Sequence, residues 1–251
     1  MRLLGGYVRR YFLQWLAWRS FALTLVANQA VTPLVGLAVW STVLPERRLS
    51  DYFIALLFVR LLTSSYENHT FSEWVYQGGF CDDLLLPHPP VLVTLGENIA
   101  IRIWHIIIGL PIVAAVVLFA PPSLRWQDVA LALPAVVLAA AIRFLFTYAL
   151  ALSAFWIERA HSVVGLGSTL IFLLGGEAAP IALLPDAVRP WAEALPFRAM
   201  LGFPAEIAAG ELNGAAVGMG YLWQVIWLAV MVVAAQAVWR AGIRRYTVVG
   251  G

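Results

Sequence analysis

The sequence contains no lysine; all 16 of its basic residues are arginine. That absence has chemical force. A Walker A loop needs a lysine on the β- and γ-phosphates, and a Schiff base needs an amine. The chain provides neither, so if ATP drives its work, another subunit binds the ATP. Cysteine is almost missing as well: Cys81 stands alone, which excludes an intrachain disulfide and leaves the redox compartment open. Charge is scarce, at 12% of residues against about 25% in a soluble domain. A formal net charge of +2 gives no electrostatic footprint for nucleic acid. The four histidines, His69, His88, His105 and His161, form no HExxH pattern, and no Cys/His cluster has zinc spacing. They read as packed or interfacial side chains, and no metal site is expected. Ser168 follows a glycine as a hydrolase serine would, yet no histidine comes after His161 to serve as its base, which argues against an intramembrane serine protease.

What the chain has in abundance is apolar surface: 62% hydrophobic residues, 13% aromatic, and a mean hydropathy of +0.83 over 251 residues. A helix needs about 20 apolar residues to cross a hydrocarbon core of roughly 30 Å. Six segments qualify, at about Phe21–Leu44, Asp51–Thr70, Asn98–Phe119, Val129–Trp156, Ser162–Gly176 and Val217–Trp239. The pattern predicts an all-α integral membrane protein with six transmembrane helices.

Residues 1–19 carry arginines but no compact apolar core and no small-residue cleavage site, so they do not read as a cleavable signal. They read as an amphipathic helix. Leu3, Leu4, Tyr7, Val8, Tyr11, Phe12, Trp15 and Leu16 share one face; Arg2, Gly5, Gly6, Arg9, Arg10 and Gln14 share the other, with Leu13 the exception. Such a helix is expected to lie in the membrane interface with its rings at headgroup depth. With six spans both termini share a side. Eight arginines fall there (Arg2, Arg9, Arg10, Arg19, Arg159, Arg240, Arg244, Arg245) against five opposite (Arg47, Arg48, Arg125, Arg189, Arg198), which puts both termini in the cytoplasm.

Two connections carry information. Residues 71–97, on the cytoplasmic side, combine Gly78-Gly79, Asp82-Asp83, Leu84-Leu85-Leu86 and three prolines, Pro87, Pro89 and Pro90. An apolar triplet beside two carboxylates suits either a short helix in a partner's groove or a loop folded back on its own bundle. Thr94 and Glu97 have capping-box spacing for the start of the third span. Residues 177–216, on the outer side, are too apolar for a solvated loop and too interrupted by proline for a span. Irregular backbone at membrane depth survives only when buried in protein or lining a cavity. Short re-entrant helices between spans five and six are therefore expected, either capping a central pathway or packing only.

Charges within or at the ends of spans are Arg60, Glu67, Arg102, Arg143 and Glu177. An arginine at mid-bilayer costs at least about 2.5–3.5 kcal/mol, so these side chains should face the bundle interior or water. Arg60 and Glu67 share a helical face, and Glu67–Arg102 is a plausible pair. Either a gate or structural ion pairing accounts for them. Glu177 is expected at a headgroup, with a cationic substrate as the alternative contact.

Three features together resemble the permease subunits of type-2 ABC exporters, in particular the viologen-exporter-like branch. They are the arginine-rich N-terminal helix before six spans, the segment Gly79-Phe80-Cys81-Asp82-Asp83-Leu84-Leu85-Leu86-Pro87, and the outer stretch with Pro180, Pro185, Leu195-Pro196-Phe197 and Phe203 to Ile207. His88 stands near where family members often carry a basic residue. The resemblance implies one transmembrane domain over residues 1–251, with residues 71–97 as its coupling segment. Gly79, Cys81, Asp82, Asp83, Leu84, Leu85 and Pro87 would contact the ATPase. The N-terminal helix would rest on the same ATPase. The chain itself would hold no cofactor and no catalytic site; ATP and Mg would sit on an ATP-binding cassette subunit, present in two copies. A second permease, identical or homologous, would complete the complex in the bacterial inner membrane among its lipids, with no nucleic acid involved. The exported molecule would be small and hydrophobic or amphipathic, cations included. A non-catalytic membrane scaffold is the alternative, and an intramembrane enzyme a more distant one.

Overall fold

The computed structural model describes residues 2–44, 49–157 and 160–246. Arg47, Arg48 and Arg159, which enter the charge asymmetry above, lie outside the described residues, as do the side chains of Glu67 and His69. Twelve α-helices and two short 3₁₀ turns make up the described residues, with no strand among them. Four helices are long and apolar enough to cross a membrane: α2 (Arg19–Val43), α6 (Val91–Phe119), α7 (Trp126–Ala151, extended to Phe155 by a 3₁₀ turn) and α12 (Gly214–Ile243). This is a multi-pass membrane protein. The second and fifth expected spans are shorter than drawn from sequence. They are α3 (Leu49–Thr63, 15 residues) and α8 (His161–Leu174, 14 residues).

The central position of α3 explains its length. It is apolar all round and ten of its residues are buried, the signature of a helix surrounded by others. Its neighbours are α2, α6, α7 and a short helix, α11 (Gly202–Ala208). The chain then leaves helical geometry at Ser64–Tyr66 and resumes as α4 (Glu67–Tyr76), so the expected continuous span to Thr70 is a broken one. No proline or glycine marks the break. A turn with Gly78 at φ 79° leads into the one-turn α5 (Phe80–Leu84).

Two further expectations change. The third span begins at Val91, a full turn before Thr94, because Pro89-Pro90 starts it. Proline has no N–H to lose at a helix start and a φ already suited to it, so Thr94 and Glu97 lie inside α6 and do not cap it. The N-terminal helix forms as expected (α1, Arg2–Ala17), but its apolar face is not laid on lipid. Leu4, Tyr7, Val8, Tyr11, Phe12 and Trp15 turn inward, and α1 packs along α6. Gly96 lets the two backbones approach at Tyr7, and Phe12 stacks on Trp104 at 5.2 Å.

Residues 177–216 hold a 3₁₀ turn (Ile181–Leu183) and three short helices, α9 (Arg189–Ala194), α10 (Pro196–Met200) and α11. Every residue of α11 is buried, wedged against α3 and α7. Side-chain donors from long helices hold the irregular backbone here, Gln224 bridging it to the Ala135 carbonyl of α7. Gln224 Nε2 donates to the carbonyls of Ala135 and Ala199, both at 2.9 Å; Trp40 Nε1 donates to Ala178 and Trp227 Nε1 to Ala194, both at 3.0 Å. This is how non-helical backbone persists away from water.

Candidate functional site

The segment Gly79–Pro87 divides into an anchored side and an offered side. Phe80 is completely buried, its ring within 5.4–5.9 Å of the rings of Phe71, Phe155, Trp239 and Tyr246. One phenylalanine thus ties the turn to α4 and to the ends of α7 and α12. Cys81 faces the same anchor, with Sγ 3.2 Å from the Tyr246 hydroxyl. Gly79 is covered by the Trp74 ring. Trp74 Nε1 donates to Asp83 Oδ2 at 3.0 Å, closing the turn on itself. Burial pushes the Asp83 carboxyl up, and the Trp74 N–H and the Arg10 guanidinium pull it part of the way back. On the other side Asp82, Leu84, Leu85 and Pro87 are exposed, Leu85 at 84%. A leucine that bare beside a carboxylate, on a turn held by five rings, is presented rather than left over.

Beside this segment, α1, α4 and α6 border an open cavity of about 590 Å³. Tyr11, Tyr66 and Trp74 give it rings; Glu73, Asp83 and Glu97 give it carboxylates, with Arg10 and His161 on its wall.

The arginines inside α3, α6 and α7 fall into two arrangements. At the break after α3, Arg102 of α6 donates from Nε to the Ser64 carbonyl at 3.2 Å and from Nη2 to the Ala140 carbonyl at 2.9 Å. Arg143 of α7 donates to Thr63 Oγ1 at 3.3 Å, and Asn98 Nδ2 to Ser65 Oγ at 3.2 Å. A helix end leaves carbonyls without partners and carries partial negative charge. Two guanidiniums converge on that end. The expected Glu67–Arg102 pair rests on a Glu67 side chain outside the described residues.

Arg60 behaves differently. Its Nε donates to Gln29 Oε1 at 2.9 Å, and its Nη1 makes a close ion pair with Glu177. Glu177 is only 4% exposed, so it sits inside the protein on Arg60 and not at a headgroup. The contact joins α2, α3 and the turn after α8. Sequence reasoning also missed Arg198–Glu206, whose guanidinium and carboxylate meet at 2.6 Å and close α10 onto α11. Two short helices separated by a sharp bend bring these residues together, and neither helical nor strand spacing points to it.

Four apolar spans, a packed group of short helices at one end and an anchored apolar-acidic turn at the other can be set against known families. The family model described as ABC-2 family transporter protein matches residues 17–250. The chain belongs to that family. It is accordingly a membrane transport component, of a family that normally works with an ATP-binding subunit. No curated protein and no solved structure matches the chain. The match begins at residue 17, so all but the last residue of α1 lies before it.

Proposed function

We propose that this ABC-2 chain is the permease of an ATP-driven exporter for a small hydrophobic or amphipathic molecule, cations among them. In this reading ATP and Mg are held by two copies of a separate ATPase. The observation that carries it is the Gly79–Pro87 turn. Buried Phe80 makes it rigid, and exposed Asp82, Leu84 and Leu85 fit a partner's groove, so a push on the turn travels into α4, α7 and α12 through the surrounding rings. Both termini are cytoplasmic in this reading, residues 1–251 form one transmembrane domain, and α3 with α4 and α8 supply the remaining two of six crossings. The short helices α9–α11 are re-entrant from the outer side of the bacterial inner membrane. A second permease, identical or homologous, completes the pathway. The ring-and-carboxylate lining of the 590 Å³ cavity supports loading of an amphipathic molecule from the cytoplasmic side.

The first experiment is purification in mild detergent from the native membrane, with mass spectrometry of the proteins that accompany the chain. A co-purifying P-loop ATPase is the expected result. A chain that arrives alone, under conditions where related complexes survive, removes the proposal in favour of a scaffold. In the reconstituted complex, Asp82→Arg with Asp83→Arg should abolish partner-stimulated ATP hydrolysis while the permease still inserts; unchanged stimulation removes the coupling assignment.

A further inference from the structure

The face of α1 turned away from α6 poses a question that packing within the chain does not answer. Arg2, Gly5, Gly6, Arg9, Leu13 and Leu16 share it, and all six are exposed. Gly5 and Gly6 stand in the interior of a helix, where each costs about 1 kcal/mol relative to alanine. Neither is there for lack of room: a Cβ at either position would meet nothing within 4 Å. Neither has a positive φ to require glycine. What they do is leave a shallow notch of bare backbone between Arg2 and Arg9, which lie on the same side two helical turns apart. Among the described residues no carboxylate pairs with Arg2 or Arg9. Further along, Leu13, Leu16 and Trp18 are exposed next to Arg19 at the start of α2, a span in the membrane. On α1 itself the apolar side chains Leu13 and Leu16 lie towards the span and Arg2 and Arg9 away from it, the polarity of a lipid monolayer with tails at one end and phosphates at the other.

We infer that this face of α1 binds the headgroups of anionic phospholipids, with Arg2 and Arg9 on the phosphate and Gly5-Gly6 giving the headgroup room to approach. Arginine matches a phosphate's oxygens with a planar fork of donors, and a glycine pair permits contact that side chains would block. The apolar end, Leu13, Leu16 and Trp18, favours lipid over an acidic protein surface as the occupant. The surface is independent of the exporter reading, since it lies almost wholly outside the stretch matched to the family and involves no residue of the coupling turn.

The test uses the full chain in nanodiscs of phosphatidylcholine containing a minor fraction of phosphatidylglycerol, with native mass spectrometry counting the lipids retained. The wild-type chain should hold phosphatidylglycerol over phosphatidylcholine by roughly tenfold at low salt, and less at high salt. Arg2→Gln with Arg9→Gln should bring the two lipids near parity. Gly5→Ala with Gly6→Ala strengthens the helix, so a loss of phosphatidylglycerol retention there cannot be unfolding; retention should fall while the melting temperature in pure phosphatidylcholine holds or rises. Equal retention of both lipids by the wild-type chain overturns the proposal. So does a preference that survives in both variants. If the arginine variant keeps its lipid preference but loses stimulation of an ATPase, the face belongs to that protein and the proposal is wrong.

Discussion

Arg60 and the pair Arg102/Arg143 all lie in apolar helices, yet the contacts described for them differ in kind. Arg60 meets a carboxylate, Glu177, that comes from 117 residues away and belongs to the turn after α8. Arg102 meets the Ser64 carbonyl just after α3 and the Ala140 carbonyl within α7, and Arg143 meets the Thr63 hydroxyl at the end of α3. An ion pair between separate elements has an alternative state in which the elements part and each charge meets water. A guanidinium bonded to backbone carbonyls holds more than a charge, because opening it strands backbone groups as well. The first arrangement is built to hold or release two elements; the second is built to hold a fold.

The largest effect that distinguishes them comes from the ion pair. Arg60→Leu or Glu177→Leu alone leaves one buried charge without its partner and should cost about 3–5 kcal/mol. The double variant Arg60→Leu/Glu177→Leu should recover most of that loss, because neither charge then remains. Melting temperatures of the four chains, treated as a double-mutant cycle, give the coupling. A double variant no better than the worse single one breaks the comparison. If the pair works as a gate latch, the double variant folds but transports abnormally.

Arg102→Gln should cost less, about 2 kcal/mol, since glutamine reaches fewer of the oxygens that Arg102 now satisfies. Removing a second charge nearby should restore only part of the loss, because the Ser64 and Ala140 carbonyls still lack their donor. Folded yield after solubilisation and melting temperature should fall together. A neighbouring substitution that restores full stability by removing a charge would place Arg102 with Arg60, held chiefly by an ion pair.

Much of this was legible in the sequence, and the part that was not has a common cause. Hydropathy located α2, α6, α7 and α12 to within a turn or two, and glycine with proline marked the turns at Gly78 and Pro89-Pro90. The break at Ser64–Tyr66 was invisible because nothing in Ser-Ser-Tyr forbids a helix. Its stability comes from Arg102, Arg143 and Asn98 on other helices. Glu177 was read towards a headgroup because its partner lies on α3, a distance no local pattern spans. The period of α1 gives most of each face, but Leu3 and Leu16, expected on the apolar face, are exposed, Leu16 on the side of Arg2 and Arg9. Which face meets protein was not legible, since periodicity divides a helix into faces and leaves open what covers each one.

The smallest expected effect concerns the coupling turn, where the comparison extends to an exposed charge. Asp83 takes its hydrogen bond from Trp74, a donor on the preceding helix, and Asp82 beside it is left to solvent. Trp74→Phe should cost about 1 kcal/mol or less at neutral pH, because the site is partly hydrated. Its pH dependence gives the sharper check. The indole N–H stabilises the charged carboxylate most, and burial holds the Asp83 carboxyl above its ordinary range. The difference in melting temperature between wild type and Trp74→Phe should therefore be full well above that raised value and shrink as the pH falls through it. In an Asp83→Asn background the difference should no longer depend on pH in this way. A gap that persists unchanged into acid would show that Trp74 supports the turn by covering Gly79 with its ring, and that its bond to Asp83 adds nothing.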